Sequence, residues 1–125
     1  MGSRRKTRNI VITAIHEILN TMIHITIQTR TIAAAEKLAA HLMEKRLLLF
    51  PTLDTDHEEL LWSDGKLLRE SQFLLQGMTK GLLYSELERA VTALLGNDLV
   101  RLHAVPITAM DPQTQRALLE QTVKV

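Results

Sequence analysis

The sequence predicts one α/β sandwich with elements in the order β-α-β-β-α-β, and three observations predict it. Ile23, Ile25 and Ile27 alternate with His24, Thr26 and Gln28, the period of a strand with one apolar face. Two apolar runs in the middle of the chain meet at Asp64-Gly65, a strong signal for a two-residue hairpin turn. Apolar stripes at helical spacing flank that hairpin: Ile32, Ala35, Leu38, Ala39 and Leu42 before it, and Tyr84, Leu87, Val91 and Leu94 after it. A chain of 125 residues is the size of one domain.

Each element has a start or stop that chemistry explains. The first helix is predicted from Thr31 and closes on Lys45 and Arg46, cations that suit the negative end of the helix dipole. The hairpin follows, from Arg46 to Thr79, with an acidic stretch Asp54-Thr55-Asp56-His57-Glu58-Glu59 in its first arm and Trp62 near its tip. In its second arm Phe73-Leu74-Leu75 is apolar on consecutive positions, which predicts a strand covered on both faces. Ser85-Glu86-Leu87-Glu88 has capping-box spacing, and Gly96-Asn97 is a helix stop. Leu99 to Ile107 is the fourth strand, and Asp111-Pro112 reads as an N-cap followed by proline at the first position of a short last helix through Leu118 and Leu119. The sum is a ferredoxin-like α/β sandwich with a long central hairpin and a short C-terminal helix. Right-handed crossovers put both main helices on one face of the sheet. The other face is then bare and, on this reading, greasy, which predicts an oligomer.

Composition removes several function classes. Phe50, Trp62, Phe73 and Tyr84 are the whole aromatic set and net charge is +1, so neither a base-stacking platform nor a basic field for nucleic acid is present. There is no cysteine, which excludes disulfides, thiolate zinc sites and Cys nucleophiles and fits a reducing, cytoplasmic setting. No stretch approaches the roughly 20 apolar residues of a membrane span. Ser3-Arg4-Arg5-Lys6 loosely resembles a twin-arginine export signal, but the apolar run Ile10 to Ile15 is short, ends at His16-Glu17 and has no small-residue cleavage site after it. Residues 1–21 are therefore read as an N-terminal extension and 22–125 as the domain. The extension has no evident core partner, so its removal is expected to leave assembly and melting temperature nearly unchanged.

From about Met22 to Glu120 the chain resembles the CutA divalent-cation tolerance family, trimeric relatives of the PII signalling proteins. The resemblance runs through Ile25-Thr26-Ile27, the helix Ala33 to Leu42, Glu44-Lys45-Arg46-Leu47, Trp62 with Gly65 and Thr79, the helix Tyr84 to Leu94, and Ala104-Val105-Pro106-Ile107. It implies a homotrimer and a non-enzymatic role in divalent-ion tolerance or PII-like ligand sensing. The departures fall on the family's polar residues. Phe50 stands where the family has a Cys, Leu60 where it has a Tyr, Gln72 where it has a Glu, and Met78 where it has a Lys, with Lys80 nearby. Leu95-Gly96-Asn97 and Val100-Arg101 replace its His-Pro-Tyr and Pro-Glu segment.

The candidate site residues follow from these two readings. Trp62, Gln72 and Lys80 are the candidates for an intersubunit ligand cleft. For Trp62 the simpler role is to dock the hairpin on a neighbouring subunit, and for Lys80-Gly81 a plain strand-to-helix turn. Asp54, Asp56 and His57 are the candidates for a divalent metal ion. On a regular strand Asp54, Asp56 and Glu58 share one face and His57 and Glu59 the other, and three carboxylates suit a hard cation. The same residues equally make a solvated arm whose charges keep a sheet edge from aggregating. The five histidines include no pair at i, i+4. No nucleophile–base pair, dinucleotide fingerprint or nucleophile elbow is present, so no enzymatic activity is expected.

Overall fold

A computed structural model of the chain describes residues 21–125; all of the extension but Thr21, Ser3-Arg4-Arg5-Lys6 included, lies outside the described residues. The elements are β1 (Met22–Thr29), α1 (Ile32–Glu44), β2 (Leu49–Ser63), β3 (Lys66–Lys80), α2 (Tyr84–Leu95), β4 (Leu99–Ile107) and α3 (Pro112–Gln121), with short 3₁₀ turns at Gly81–Leu83 and Gly96–Asp98. The four strands form one sheet in the order β2-β3-β1-β4, antiparallel throughout. This is the ferredoxin-like sandwich that the sequence predicts.

Local chemistry sets most boundaries. Thr31 caps α1, its hydroxyl accepting from the Ala34 amide at 3.1 Å. Asp111 caps α3, accepting from the Thr114 amide at 2.9 Å and its hydroxyl at 2.6 Å, with Pro112 at the first helical position. These bonds hold the Asp111 carboxyl below its ordinary pKa, the Thr114 hydroxyl being the largest cause. Gly96 ends α2 with φ of 52°. The capping box is not used: α2 is entered through the 3₁₀ turn, Leu83 is its N-cap without a side-chain bond, and Ser85 lies inside the helix. Asp64 and Gly65 have φ of 51° and 73°, the two left-handed residues that a tight hairpin turn needs.

The core lies between the sheet and α1 and α2. Register puts Ile23, Ile25 and Ile27 on that face opposite Thr79, Gly77 and Leu75 of β3. They pack with Leu38 and Leu42 of α1, Leu87 and Val91 of α2, and Leu47 and Leu48 of the connection into β2.

The opposite face corrects one expectation. It is not uniformly greasy: His24, Thr26 and Gln28 of β1 lie beside Met78, Gln76 and Leu74 of β3, and Val105, His103 and Arg101 of β4. In Phe73-Leu74-Leu75 only Leu74 points to this face, between Gln72 and Gln76, so the apolar triplet does not extend into an apolar surface. One end of the face is covered by α3, which lies against β3 and buries Leu118.

Arg46 fastens that last helix. Its guanidinium donates to the carbonyls of Glu120, Gln121 and Thr122, and its own carbonyl accepts from the Val123 amide at 2.9 Å. A cation at these orphan carbonyls suits the negative end of the helix dipole. Arg46 reaches them from a backbone with φ of 58°.

Candidate functional site

The central hairpin outruns the rest of the sheet. β1 pairs with β3 only from Phe73 to Lys80, whereas the β2–β3 ladder continues to Ser63 and Lys66. Residues 57 to 72 therefore project as a two-stranded arm. Along it Leu60, Trp62 and Leu67 are exposed on one face, Trp62 to 75 %, and Leu68 on the other. A two-stranded ribbon alone is marginally stable in water, and a patch of exposed large apolar side chains on it marks a surface for contact.

Below the arm a polar chain runs across the face away from α1 and α2. Gln28 donates to the Gln72 carbonyl oxygen, Gln72 donates to Glu59 at 3.0 Å, and Arg101 pairs with the other oxygen of Glu59. Gln72 is 1 % exposed and Gln28 is buried with it. A buried amide must be hydrogen-bonded, and this chain satisfies Gln72 on both sides.

Within one chain the three cleft candidates do not come together. Trp62 pairs with Leu67 near the tip, and Lys80 ends β3 thirteen positions further on, about 43 Å of strand at ~3.3 Å per residue. Gln72 sits between them, engaged with Gln28 and Glu59. Lys80 donates to the Val123 carbonyl at 3.1 Å. Burial, with Lys124 and Arg46 nearby, lowers the pKa of its ammonium. Lys80 also lines a hollow of about 380 Å³ with Met22, Leu82, Gln115, Leu119 and Val125.

The metal candidates are likewise not gathered. The β2–β3 register shifts between Asp54 and His57, so Asp54 lies opposite Leu74 and His57 opposite Gln72, on the same face, while Glu58 faces the other way opposite Ser71. The regular alternation expected for this stretch is thus broken by a bulge, where the Asp54 carboxylate accepts from the Asp56 amide at 2.9 Å. Among the described residues no three His, Asp or Glu side chains stand close enough to hold one metal ion. The sequence reading missed the Gln28–Gln72–Glu59–Arg101 chain. Alternation of Gln28 with Ile27 and of Gln72 with Phe73 was its visible signal, but pairing across four strands was needed to join them.

An antiparallel ferredoxin-like sheet with an overhanging hairpin arm is the class of protein that this geometry defines. The particular architecture is that of the CutA1 divalent-cation tolerance proteins. The CutA1 structure from Oryza sativa superposes with a TM-score of 0.76 at 20 % identity, covering 86 % of this chain and 99 % of that one. The divalent cation tolerance protein CutA1 of Thermus thermophilus gives 0.73 at 20 % identity over 82 % and 99 %. The periplasmic divalent cation tolerance protein CutA of Archaeoglobus fulgidus gives 0.70 at 21 % over 80 % and 97 %. No family model and no curated protein matches the sequence itself. The chain has the CutA1 fold.

Proposed function

We propose that this chain is a divergent CutA-like protein, a non-enzymatic homotrimer acting in divalent-cation tolerance or as a PII-like ligand sensor. The carrying observation is the match of nearly the whole length of CutA1 chains to this one, the overhanging arm included. The exposed Leu60, Trp62 and Leu67 support assembly, because a neighbouring subunit would remove them from water. At about 25 cal/mol per Å² of apolar area, even a standard interface contributes many kcal/mol before association entropy is subtracted. High thermal stability with concentration-dependent melting is therefore part of the proposal. In a trimer Trp62 of one subunit and Lys80 of another can share a cleft that a single chain does not form. Cytoplasmic location remains part of the proposal; among the described residues no helix is long and apolar enough to cross a membrane.

A second reading is a structural or interaction trimer with a degenerate ligand cleft. It is favoured by Gln72, whose amide is consumed by Gln28 and Glu59, and by the dispersed Asp54, Asp56 and His57. Light scattering at micromolar concentration tests the trimer, and a monomer refutes both readings. Titration with copper, zinc, magnesium and adenine nucleotides, followed by calorimetry and by the fluorescence of the single tryptophan, separates them. Micromolar binding of any of these supports the sensor, and silence across the panel supports the degenerate trimer.

A further inference from the structure

On the sheet face away from α1 and α2, register lines up Lys80 of β3, Met22 of β1 and Ile107 of β4 as one row. The row spans about 10 Å at ~4.8 Å per strand spacing. A hollow of about 380 Å³ opens over Lys80 and Met22, walled by Leu82 and by Leu119 of α3. A second, of about 390 Å³, opens over Met22 and Ile107, walled by Met110. Thr21, Met22 and Gln115 border both, so the two are neighbours in one trough with an ammonium at one end. We propose that this trough binds an alkyl carboxylate of medium chain length, its head on Lys80 and its chain along Met22 towards Ile107 and Met110.

Three observations carry the assignment. The first is charge. Among the described residues the Lys80 ammonium donates only to the Val123 carbonyl, at 3.1 Å, and has no ion pair. An ammonium has three donors, so two remain for a ligand. The charged groups that act on it are Lys124 and Arg46, both cations, and that excess favours an anionic head. The second is the apolar wall. Leu82 and Leu119 are 45 % and 48 % exposed. Large apolar side chains in water beside an unpaired charge suit an amphiphile rather than an inorganic anion, because an alkyl chain removes them from water. The third is the lining further along. Among the described residues no aromatic side chain borders either hollow, so nothing there stacks on a nucleotide base or an aromatic acid. Met22 and Met110 line it instead, flexible side chains that adapt to an alkyl chain. The trough is complete within one chain, so the inference stands apart from the trimer.

Calorimetric titration of the full-length chain with butyrate, hexanoate and octanoate, and with octanol and inorganic phosphate, tests the proposal. Affinity should rise about fourfold per added methylene, the transfer value for a buried CH₂. Octanol lacks the charge and should bind about tenfold more weakly than octanoate, the scale of a hydrogen bond to a charged group. Phosphate should not bind. Lys80→Met should weaken octanoate by about the same tenfold, and Met110→Asp should weaken octanoate but not butyrate. Circular dichroism and light scattering on the same samples record fold and assembly, so loss of the ligand and loss of the trimer are read separately. Equal affinity for octanoate and octanol, binding of phosphate in place of octanoate, an affinity flat across the carboxylates, or no octanoate binding overturns the proposal on the parent chain alone. Undiminished octanoate binding by a folded Lys80→Met chain overturns it as well.

Discussion

Gly77 provides a quantitative test of the packing between sheet and helices. It lies opposite Ile25 on the core face, and its backbone is not left-handed, so space rather than conformational freedom explains the glycine. A Cβ added there would stand 2.7 Å from both Cγ and Cδ1 of Leu48 and 3.0 Å from Cδ2. Favourable carbon contacts are at about 3.5–4.0 Å, so Leu48 must retreat by about 1 Å. Leu48 is 2 % exposed in a close-packed cluster and has little room to do so. Overpacking of this kind costs about 1–3 kcal/mol, offset by about 0.4–1 kcal/mol from the stiffer unfolded chain. Gly77→Ala should therefore destabilise by about 1–2 kcal/mol. With a urea slope of about 2 kcal/mol per molar, in the middle of the usual range for small proteins, the midpoint falls by roughly 0.5–1 M. The assay is urea unfolding at one fixed protein concentration, with Leu48→Ala and the double variant completing a cycle. Leu48→Ala alone should cost about 2–5 kcal/mol through its cavity. In the double variant the new methyl occupies part of that cavity, so the combined cost should be less than the sum. A Gly77→Ala midpoint at or above the parent's, or strict additivity in the cycle, would refute the reasoning.

Four further outcomes are expected. Arg46→Met should loosen α3, raising hydrogen exchange over residues 118–122 and lowering stability by about 1 kcal/mol, the net scale for exposed charge-assisted bonds; unchanged exchange there would remove the clasp from the account. Because the folded-state pKa of Asp111 is depressed, its stabilisation of α3 is present above the ordinary 3.8 and is lost as pH falls through the lower folded value; Asp111→Asn should flatten that acid dependence in a urea series run from neutral to acid pH. The Thr79 hydroxyl is buried with no hydrogen-bond partner among the described residues, so Thr79→Val should be neutral or stabilising by up to about 2 kcal/mol; a clear loss in urea midpoint would reveal a partner. Replacing Leu53 to Lys66 by a short turn should sharply weaken the proposed trimer in light-scattering dilution series, since it removes the part of the arm that carries Trp62; an assembly unchanged by the replacement would refute the arm's role in it.

The sequence by itself determined the elements, because their signals are local. Ile23, Ile25 and Ile27 alternate, Asp64-Gly65 supplies the two left-handed residues of the turn, Gly96 stops α2, and Asp111-Pro112 starts α3. Those signals are satisfied by neighbours a few residues away, so no knowledge of the fold is needed to read them. The tertiary structure alone decided what depends on pairing between distant segments. The bulge between Asp54 and His57 reassigns the faces of the acidic stretch, and a one-residue slip cannot be seen without the partner strand. Phe50, at φ of 55° before Pro51, adopts a conformation that no propensity predicts for a bulky side chain. The Gln28–Gln72–Glu59–Arg101 chain turns the expected greasy face into a largely polar one, because four residues far apart in sequence meet across β1, β3, β2 and β4. The arm's reach beyond β1 follows from strand lengths, 15 residues each in β2 and β3 against 8 in β1, and that difference acquires meaning only once the register is fixed.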